Sequence, residues 1–447
     1  MVMDDLVASF VMAGGKGSRL EVLTRDRSKS AVNIFGHYRI VDLVTSNVVN
    51  SDIPIMLIGV QFLPISLSTH MTNKAELGFS DDNILEILSP FQDSEMVNFE
   101  GTADSVRKNY SRIENHNPKI TLILGGDHIY SANYQNIIKY HKSKNADLTI
   151  MTTPVAEAKI SDFGIIKVDN QGKVMGFTEK PEDKDLIEDF RLSERAMVKL
   201  GITDPNKQFL ASMGNYVFFN ERLKRFLEYE GSDFGKNIIP SMMKDNHEIY
   251  AFAFEGYWRD VGKVNDYFDC NMEFAVGRPL DLNKMRVRTH LRQLPGAWVA
   301  SNSSVGSSIL SPGNEIYSGS SITNSVFGYQ IIVEENCTVN HCVFTGADRN
   351  NVLLNEEFNT TIGKGSKLKY VILDKNVQVG RNVNISPDNA LGYDERIKRL
   401  ESIGLTRYEK KSDNNWSGDF YLDEISNILV IGKQKNKGLM IPDNFQC

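Results

Sequence analysis

The chain has 447 residues, 41% hydrophobic and 24% charged, so we expect two or three folded domains rather than a disordered protein. Its formal net charge of −7 argues against a nucleic-acid partner, because surfaces that bind phosphate backbones are dominated by basic residues. The four cysteines are too few and too scattered for a disulfide scaffold, and no apolar run approaches the roughly 20 residues that span a bilayer. These features favour a cytoplasmic protein without a membrane partner.

Short apolar runs in the first half of the chain are typical of buried parallel strands. They cover residues 7–12, 55–60, 120–124 and 148–152. Helix-period segments such as 134–143 lie between them, and this alternation predicts a doubly wound α/β domain with a mostly parallel sheet over residues 1–285. Ligands of such domains bind at the carboxyl ends of the strands.

The pattern changes after about residue 295. Short β-branched steps are separated by Asn, Gly and Ser, and apolar residues recur about six positions apart, which is the hexapeptide signature of a parallel β-helix. We predict this β-helix over residues 286–390, with the polar stretch 346–361 as an extruded loop. A tail over 391–447 is expected to pack on it, with a helix in the charged segment DERIKRLESIG and a strand at 425–431.

The segment AGGKGSRL follows the first predicted strand directly, where backbone N–H groups can hold an anion. It lacks the GK[ST] of a Walker A loop, and Leu20 replaces the last glycine of GxGxxG. Lys16, Arg19 and Lys29 follow on a short span and can surround a triphosphate. A tight turn with solvated cations explains the same residues, so the loop alone leaves both interpretations open.

The order of the later motifs is more specific. AGGKGSRL, FGHYRIVD, GTAD, GGDHIY, FTEKP, ASMGNYVF, SDFGK and YWRDVG cover most of residues 8–280, ahead of the β-helix, and resemble the glucose-1-phosphate adenylyltransferase family of glycogen and starch synthesis. The resemblance implies adenylyl transfer from ATP to α-D-glucose 1-phosphate with release of diphosphate, Mg²⁺ as cofactor and allosteric control. It also implies that the β-helix is left-handed and that the protein is a homotetramer or a hetero-oligomer with a paralogous subunit.

The resemblance also assigns site residues. It implies catalytic roles for Arg19, Lys29 and Asp127, and metal ligation by Asp127 and Asp260. The implied nucleotide-binding residues are Ala13, Gly14, Gly15, Lys16, Gln92 and Gly101. The implied sugar-phosphate-binding residues are Gly164, Glu179, Lys180 and Ser212.

Plainer interpretations exist for several of these residues. Asp127 alone reads as a turn aspartate after a strand. Asp260 alone reads as a solvated ion-pair partner of the neighbouring Arg259. Glu179 and Lys180 before a proline are typical of an exposed polar turn. Only the series of motifs favours function.

Four positions depart from the family pattern. Ser30 replaces a proline, so we expect Lys29 to be less firmly held. Phe99 and Glu100 replace Tyr-Arg, which predicts a change in nucleotide affinity or preference. Asp26 replaces a basic residue that binds the activator, so activation by fructose bisphosphate is doubtful, although Gln61 matches a family glutamine linked to the allosteric site.

Three other functions are compatible with parts of the sequence. A sibling enzyme using UTP, GTP or dTTP shares the loop and the metal ligands. A non-catalytic regulatory subunit is disfavoured because Arg19, Asp127, Lys180 and Asp260 are retained. A β-helix acyltransferase needs a catalytic histidine, for which His341 is the candidate. The neighbouring Cys337 and Cys342 are expected to be packed in the coils rather than to bind metal.

Overall fold

The computed structural model describes residues 5–89, 91–92, 95–96, 98–347, 359–410, 416–433 and 439–447. These residues form two compact units. The sheet unit comprises the residues up to Gly15, Val41–Trp258 and Leu282–His290. The coil unit comprises Lys16–Ile40, Arg259–Asp281 and the residues from Leu291 onward. The domain boundaries after residues 285 and 390 stay predictions.

A nine-stranded sheet forms the core of the sheet unit. In chain order its strands are β1 Val7–Met12, β2 Ile55–Gly59, β3 Ile84–Leu88, β4 Ile120–Gly125, β5 Leu148–Val155, β6 Gly164–Val168, β7 Val174–Glu179, β8 Phe209–Phe219 and β9 Ile249–Ala253. The order across the sheet is β7-β6-β8-β4-β1-β2-β3, and β5 pairs with β8 and β9.

The central strands β3, β2, β1 and β4 are parallel, whereas β8 runs antiparallel to β4, β5 and β6. Their apolar sequences, VASFVM in β1 and ITLILG in β4, are buried almost throughout, as expected for strands covered on both faces. The predicted α/β class is confirmed.

Helices occur in both compact units. In chain order they are α1 Ile40–Asn50, α2 Pro64–His70, α3 Thr102–Glu114, α4 Tyr134–Lys144, α5 Lys184–Asp189, α6 Glu194–Leu200, α7 Asn220–Phe226, α8 Ile239–Lys244, α9 Val264–Val276, α10 Leu282–Met285 and α11 Tyr393–Ser402. The helix predicted at 134–143 is α4, which is capped by Asn133 and ends at the left-handed Asn145. Within the described residues no helix combines the length and the apolarity needed to cross a membrane.

The coil unit contains the predicted parallel β-helix. Val305, Ile322 and Val339 stack in register on successive coils, so these coils advance by 17 residues each, about three hexapeptides. Its strands are Trp298–Val299, Ser304–Gly306, Ile309–Leu310, Glu315–Ile316, Ser321–Thr323, Val326–Tyr329, Ile331–Val333, Thr338–Gly346, Thr360–Ile362, Lys367–Leu373, Val377–Val379, Asn384–Ile385, Leu429–Ile431 and Leu439–Ile441.

The tail contributes to this β-helix. Leu429–Ile431 pairs in parallel with Lys367–Leu373, so the strand predicted at 425–431 forms over its second half. The helix predicted in DERIKRLESIG is α11. The predicted loop 346–361 lies mostly outside the described residues, which omit 348–358. Cys337 and Cys342 are buried in the coil core as free thiols, which confirms their packing role.

The segment 16–40, which carries Arg19 and Lys29, is held within the coil unit by long-range contacts. Arg27 makes a bidentate ion pair with Asp374, with both nitrogen–oxygen distances 2.8 Å and both side chains buried. Arg25 Nη1 donates to the carbonyl of Gly418 at 2.6 Å. The predicted phosphate-binding cations therefore share a compact unit with the β-helix.

Candidate active site

A cavity of about 430 Å³ opens at the carboxyl ends of β1, β2 and β4 in the sheet unit. This is the edge of a parallel sheet at which ligands of α/β domains bind. The residues that follow these strands and the start of α3 line it: Met12, Gly14, Gly15, Gln61, Phe62, Phe99, Glu100, Gly101, Thr102, Ser105, Gly125, Asp127, His128, Gly214 and Asp233. Four of the predicted site residues, Gly14, Gly15, Gly101 and Asp127, thus meet at one cavity, together with Gln61.

The glycine loop forms one wall of this cavity. The Ala13 amide donates to the carbonyl of Gly59 at 2.9 Å, which joins the loop to the end of β2. The Ala13 N–H therefore already has a hydrogen-bond acceptor within the sheet unit. A Cβ on Gly14 would lie 3.5 Å from Gln61 Cβ, whereas a Cβ on Gly15 would meet no atom within 4 Å. The two glycines thus expose backbone toward the cavity.

The start of α3 forms the opposite wall. The Ala103 and Asp104 amides donate to the carbonyl of Ser232 at 2.8 and 3.0 Å, which satisfies two of the unpaired N–H groups of a helix N-terminus. A Cβ on Gly101 would lie 2.4 Å from the same carbonyl oxygen, so only glycine fits. Thr102 Oγ1 donates to Asp233 at 3.0 Å. The motifs GTAD and SDFGK therefore meet at the cavity, although 131 residues separate these two partners.

Asp127 and His128 follow β4 and line the cavity together. The Asp127 side chain is 35% exposed, and its Oδ1 lies 3.5 Å from His128 Nε2. The His128 ring contacts Trp258 edge-on at 5.4 Å between centroids, and Trp258 packs in turn on Phe163. The motifs GGDHIY and YWRDVG contain His128 and Trp258, but neither residue was predicted to belong to the site. A histidine or a tryptophan at these positions does not indicate a role by itself.

The four predicted sugar-phosphate residues lie together on neighbouring strands. Gly164 pairs with Glu179 across β6 and β7, and a Cβ on Gly164 would lie 2.7 Å from Glu179 Oε2. Lys180 adopts a left-handed φ of 48° and donates its amide to the carbonyl of Phe163 at 3.0 Å. The pairing of Ile165 with Ala211 brings β8, and with it Ser212, beside this turn.

The coil unit gathers a second set of predicted residues. Lys29 Nζ lies 3.2 Å from Asp260 Oδ1. A Cβ built on Gly262 would lie 3.5 Å from Arg19 Nη2 and 3.2 Å from Asp260 Oδ2, so these three charged groups share one place. Arg259 pairs with Asp269 and Glu273. Asp260 is thus in contact with Lys29, a residue of the implied catalytic set.

Lys29 is more firmly placed than its sequence predicts. Its exposure is only 7%, and a Cβ on the left-handed Gly17 would lie 2.8 Å from Lys29 Cβ. Burial and close packing thus compensate for the missing proline at position 30. Lys16 and Arg19 are exposed.

Comparison with known proteins agrees with this arrangement. The sequence model described as nucleotidyl transferase matches residues 8–276, and that of the GLGC left-handed parallel beta-helix domain matches residues 292–403. A glucose-1-phosphate adenylyltransferase of Lachnospira eligens is 33% identical over 345 residues, which is 75% of this chain and 75% of that protein. The chain belongs to the glucose-1-phosphate adenylyltransferase family.

Membership in the glucose-1-phosphate adenylyltransferase family makes the chain a nucleotidyltransferase enzyme and its β-helix left-handed. This membership accounts for the β-helix and removes the reason for the acyltransferase interpretation. His341, its candidate residue, is a half-buried ring stacked on Tyr370 at 5.2 Å between centroids.

The departures from the glucose-1-phosphate adenylyltransferase pattern fall at informative places. Phe99 and Glu100 both line the cavity, so this substitution changes its surface directly. Asp26 accepts a hydrogen bond from Arg25 Nε at 2.9 Å. Gln92 lies on the short strand Phe91–Gln92, and its side chain falls outside the described residues, so its role stays a prediction.

Proposed function

We propose that this chain transfers the adenylyl group of ATP to α-D-glucose 1-phosphate, giving ADP-glucose for glycogen synthesis and releasing diphosphate. The observation that carries the proposal is the cavity at the carboxyl ends of β1, β2 and β4, where glycine backbone, the start of α3 and the Asp127 carboxylate converge. Its volume of about 430 Å³ lies in the range of small-molecule sites, roughly 300–1,000 Å³.

The nucleoside is proposed to occupy this cavity. A Cβ on Gly15 would meet no atom within 4 Å, so a ligand can approach its backbone closely, which supports recognition by main-chain groups. Phe62 and Phe99 offer aromatic faces for stacking of a base. Glu100 introduces a carboxylate that repels phosphates, so we expect weaker nucleotide affinity than an arginine at this position provides.

Glucose 1-phosphate is proposed to bind at the turn between β6, β7 and β8. Glu179 is placed to accept hydrogen bonds from sugar hydroxyls, and Lys180 to pair with the sugar phosphate. Gly164 leaves the space that the Glu179 carboxylate occupies, since any side chain there would collide with it. Ser212, on the adjacent strand, supplies a further hydroxyl contact.

In the proposed reaction a phosphate oxygen of glucose 1-phosphate attacks the α-phosphorus of ATP, and the bond to the diphosphate breaks. The nucleophile is already anionic, so no protein base has to remove a proton. Catalysis then rests on aligning two polyanions and on stabilising the charge of the departing diphosphate. Arg19 and Lys29 are proposed for the second task, with Lys16 at the edge of the same loop.

Mg²⁺ is proposed as the cofactor. The donor set fits it, because Asp127 and Asp260 offer hard carboxylate oxygens on partly exposed side chains, 35% and 30% accessible. A bound Mg²⁺ supplies positive charge to phosphate oxygens. The two aspartates are proposed as its protein ligands, and Lys29 holds the Asp260 carboxylate in place.

The test is an assay of diphosphate release with Mg²⁺, glucose 1-phosphate and each nucleoside triphosphate in turn. We expect the strongest release with ATP and none in Asp127→Asn. Asp388→Asn is the matched control, because Asp388 is an exposed carboxylate paired with Lys369 on the β-helix. Preference for UTP, GTP or dTTP would move the proposal to a sibling enzyme, and silence with all four would reject it.

We further propose that the protein assembles as a homotetramer in the cytoplasm, as the family resemblance implies. Light scattering coupled to size exclusion should then give four times the chain mass of 50.4 kDa. A monomer at micromolar concentration would contradict this.

A further inference from the structure

Strand β8 contains a β-bulge beside the proposed nucleotide cavity. Met151 of β5 faces Asn215, whereas the next residue of β5 faces Ser212. The two intervening residues of β8, Met213 and Gly214, therefore form the bulge. Gly214 has φ +65° and lines the cavity. Bulges are frequent next to active sites, where they redirect a strand.

Asn215, next to this bulge, makes a side-chain contact where the pairing of β8 with β4 ends. The last pair of this ladder joins Tyr216 to Ile123. Beyond it the Asn215 side chain replaces the main chain as acceptor, because its Oδ1 accepts a hydrogen bond from the Gly125 amide at 2.8 Å. Asn215 is 1% exposed, so water does not substitute for this acceptor.

The other half of the Asn215 amide contacts the chain on the far side of Asp127. Its Nδ2 donates to the Tyr130 hydroxyl at 3.0 Å, and this hydroxyl is hydrogen bonded to that of Tyr134 at 2.7 Å. Both tyrosines are fully buried. One buried amide thus joins the residue two positions before Asp127 to the residue three positions after it.

The turn between these two contacts carries two residues of the cavity, Asp127 and His128. A Cβ on Gly125 would lie 3.4 Å from Asp127 Oδ1 and 3.2 Å from His128 Nδ1, so both side chains pack directly on this glycine. The following amide donates to the carbonyl of Met12 at 3.1 Å, which holds the turn on the side of β1. The Asn215 side chain holds it on the side of β8.

We propose that Asn215 is a positioning residue for the metal site: it holds the turn that carries Asp127, so that the carboxylate is fixed in place to bind a divalent cation. This role rests on the proposed function, in which Asp127 is a ligand of Mg²⁺. Replacing residues that orient metal ligands from behind commonly costs about 10- to 100-fold in metal affinity. A side chain that only satisfied the core would contribute to stability and not to metal affinity.

The test is binding of Mn²⁺, a paramagnetic substitute for Mg²⁺, to the full-length protein, measured by electron paramagnetic resonance. Asn215→Leu removes both contacts, and we expect its Kd for Mn²⁺ to rise about tenfold or more. The Mg²⁺ concentration for half-maximal diphosphate release should rise with it, whereas excess Mg²⁺ should restore kcat. Tyr130→Phe removes only the second contact and should raise the Kd in the same direction, which keeps the test valid if Asn215→Leu disturbs folding.

Asn220→Leu is the matched control. Asn220 is also buried, at the other end of β8, and its Oδ1 accepts a hydrogen bond from Thr121 Oγ1 of β4 at 2.9 Å. The variant therefore removes a comparable link to the same neighbouring strand, far along it from the turn that carries Asp127. It should lower Tm but leave the Kd for Mn²⁺ unchanged.

Asp127→Asn separates this proposal from the proposed function. If it raises the Kd for Mn²⁺ but neither Asn215→Leu nor Tyr130→Phe does, only the positioning role is overturned. An equal rise in Asn220→Leu also overturns that role, because the effect would then reflect a general loss of stability. If Asp127→Asn and the wild type do not differ in Mn²⁺ binding, the metal assignment of the proposed function is wrong, and the positioning role is overturned with it.

Discussion

The shape of the proposed nucleotide cavity depends on close contacts at individual glycines. A Cβ at position 101 would approach the Ser232 carbonyl oxygen to 2.4 Å, a contact that real Cβ atoms essentially never make. Gly101→Ala should therefore push the start of α3 away from the cavity and raise the KM for ATP about tenfold or more. Steady-state kinetics of diphosphate release measure this. Gly296→Ala is the control, because a Cβ there meets no atom within 4 Å, and it should leave KM unchanged.

Arg19 tests charge stabilisation at the same scale. If it stabilises the departing diphosphate, Arg19→Gln should lower kcat by about 10²–10³ and change the KM for glucose 1-phosphate little, since such an interaction strengthens in the transition state. The matched control is Arg225→Gln, an exposed arginine on α7, which should keep full turnover. A rise in KM with unchanged kcat would instead assign Arg19 to ground-state binding.

Glu21 makes stability depend on pH. It lies beside Leu20 in the loop that carries Arg19, and burial raises its pKa from 4.5 to about 6. A raised pKa means that folding favours the protonated acid, so its stabilising contribution is complete below pH 4.5 and is lost as the pH rises through 6. Glu21→Gln should therefore gain Tm relative to the wild type as the pH rises from 4.5 to 7. Parallel Tm curves for the two proteins would contradict this.

At the scale of elements, the buried ion pair between Arg27 and Asp374 joins the segment 16–40 to a β-helix strand. Burial opposes ionisation of Asp374, but the charge and hydrogen bonds of Arg27 hold its pKa below the ordinary value. Asp374→Asn removes the buried carboxylate that pairs with the Arg27 guanidinium and should cost about 3–5 kcal/mol in urea unfolding. Asp388→Asn breaks an exposed pair with Lys369 and should cost about 1 kcal/mol or less. Equal losses of unfolding free energy in the two variants would contradict a larger contribution from the buried pair.

Elements with a repeating apolar pattern were predicted well from the sequence. β1, β2, β4 and the β-helix follow from runs of apolar residues and from the six-residue period, because burial dictates both patterns. The motif ASMGNYVF in the antiparallel β8 was recognised from the sequence, but the position of β8 between β4 and β6 was not predicted. Strand pairing depends on contacts between distant segments, which periodicity does not encode.

The candidate site was predicted only as far as motif resemblance reached. Glycines, cations and carboxylates in the motifs were named, and the structure brings Gly14, Gly101 and Asp127 to one cavity. The packing of Ser232 on Gly101, the firm hold on Lys29 and the contact of His128 with Trp258 were not predicted, because each joins residues far apart in the sequence.

At the scale of the whole molecule, the two compact units do not follow one another along the chain. The segment 16–40 leaves the sheet unit immediately after Gly15 and belongs to the coil unit. The order of motifs along the chain identified the family correctly, yet it carries no information about which distant segments pack together.

Because segments of the two units alternate along the chain, the nucleotidyltransferase half cannot be separated from the β-helix without loss of contacts. A protein shortened to residues 1–290 would retain β1 to β9 but lose Asp374, which pairs with Arg27, and Gly418, whose carbonyl accepts from Arg25. We expect its segment 16–40 to be cleaved readily in limited proteolysis and its diphosphate release to be lost. For the same reason, we expect a chimera with the β-helix of another family member to be active only if the residues that contact the segment 16–40 are exchanged together with that β-helix.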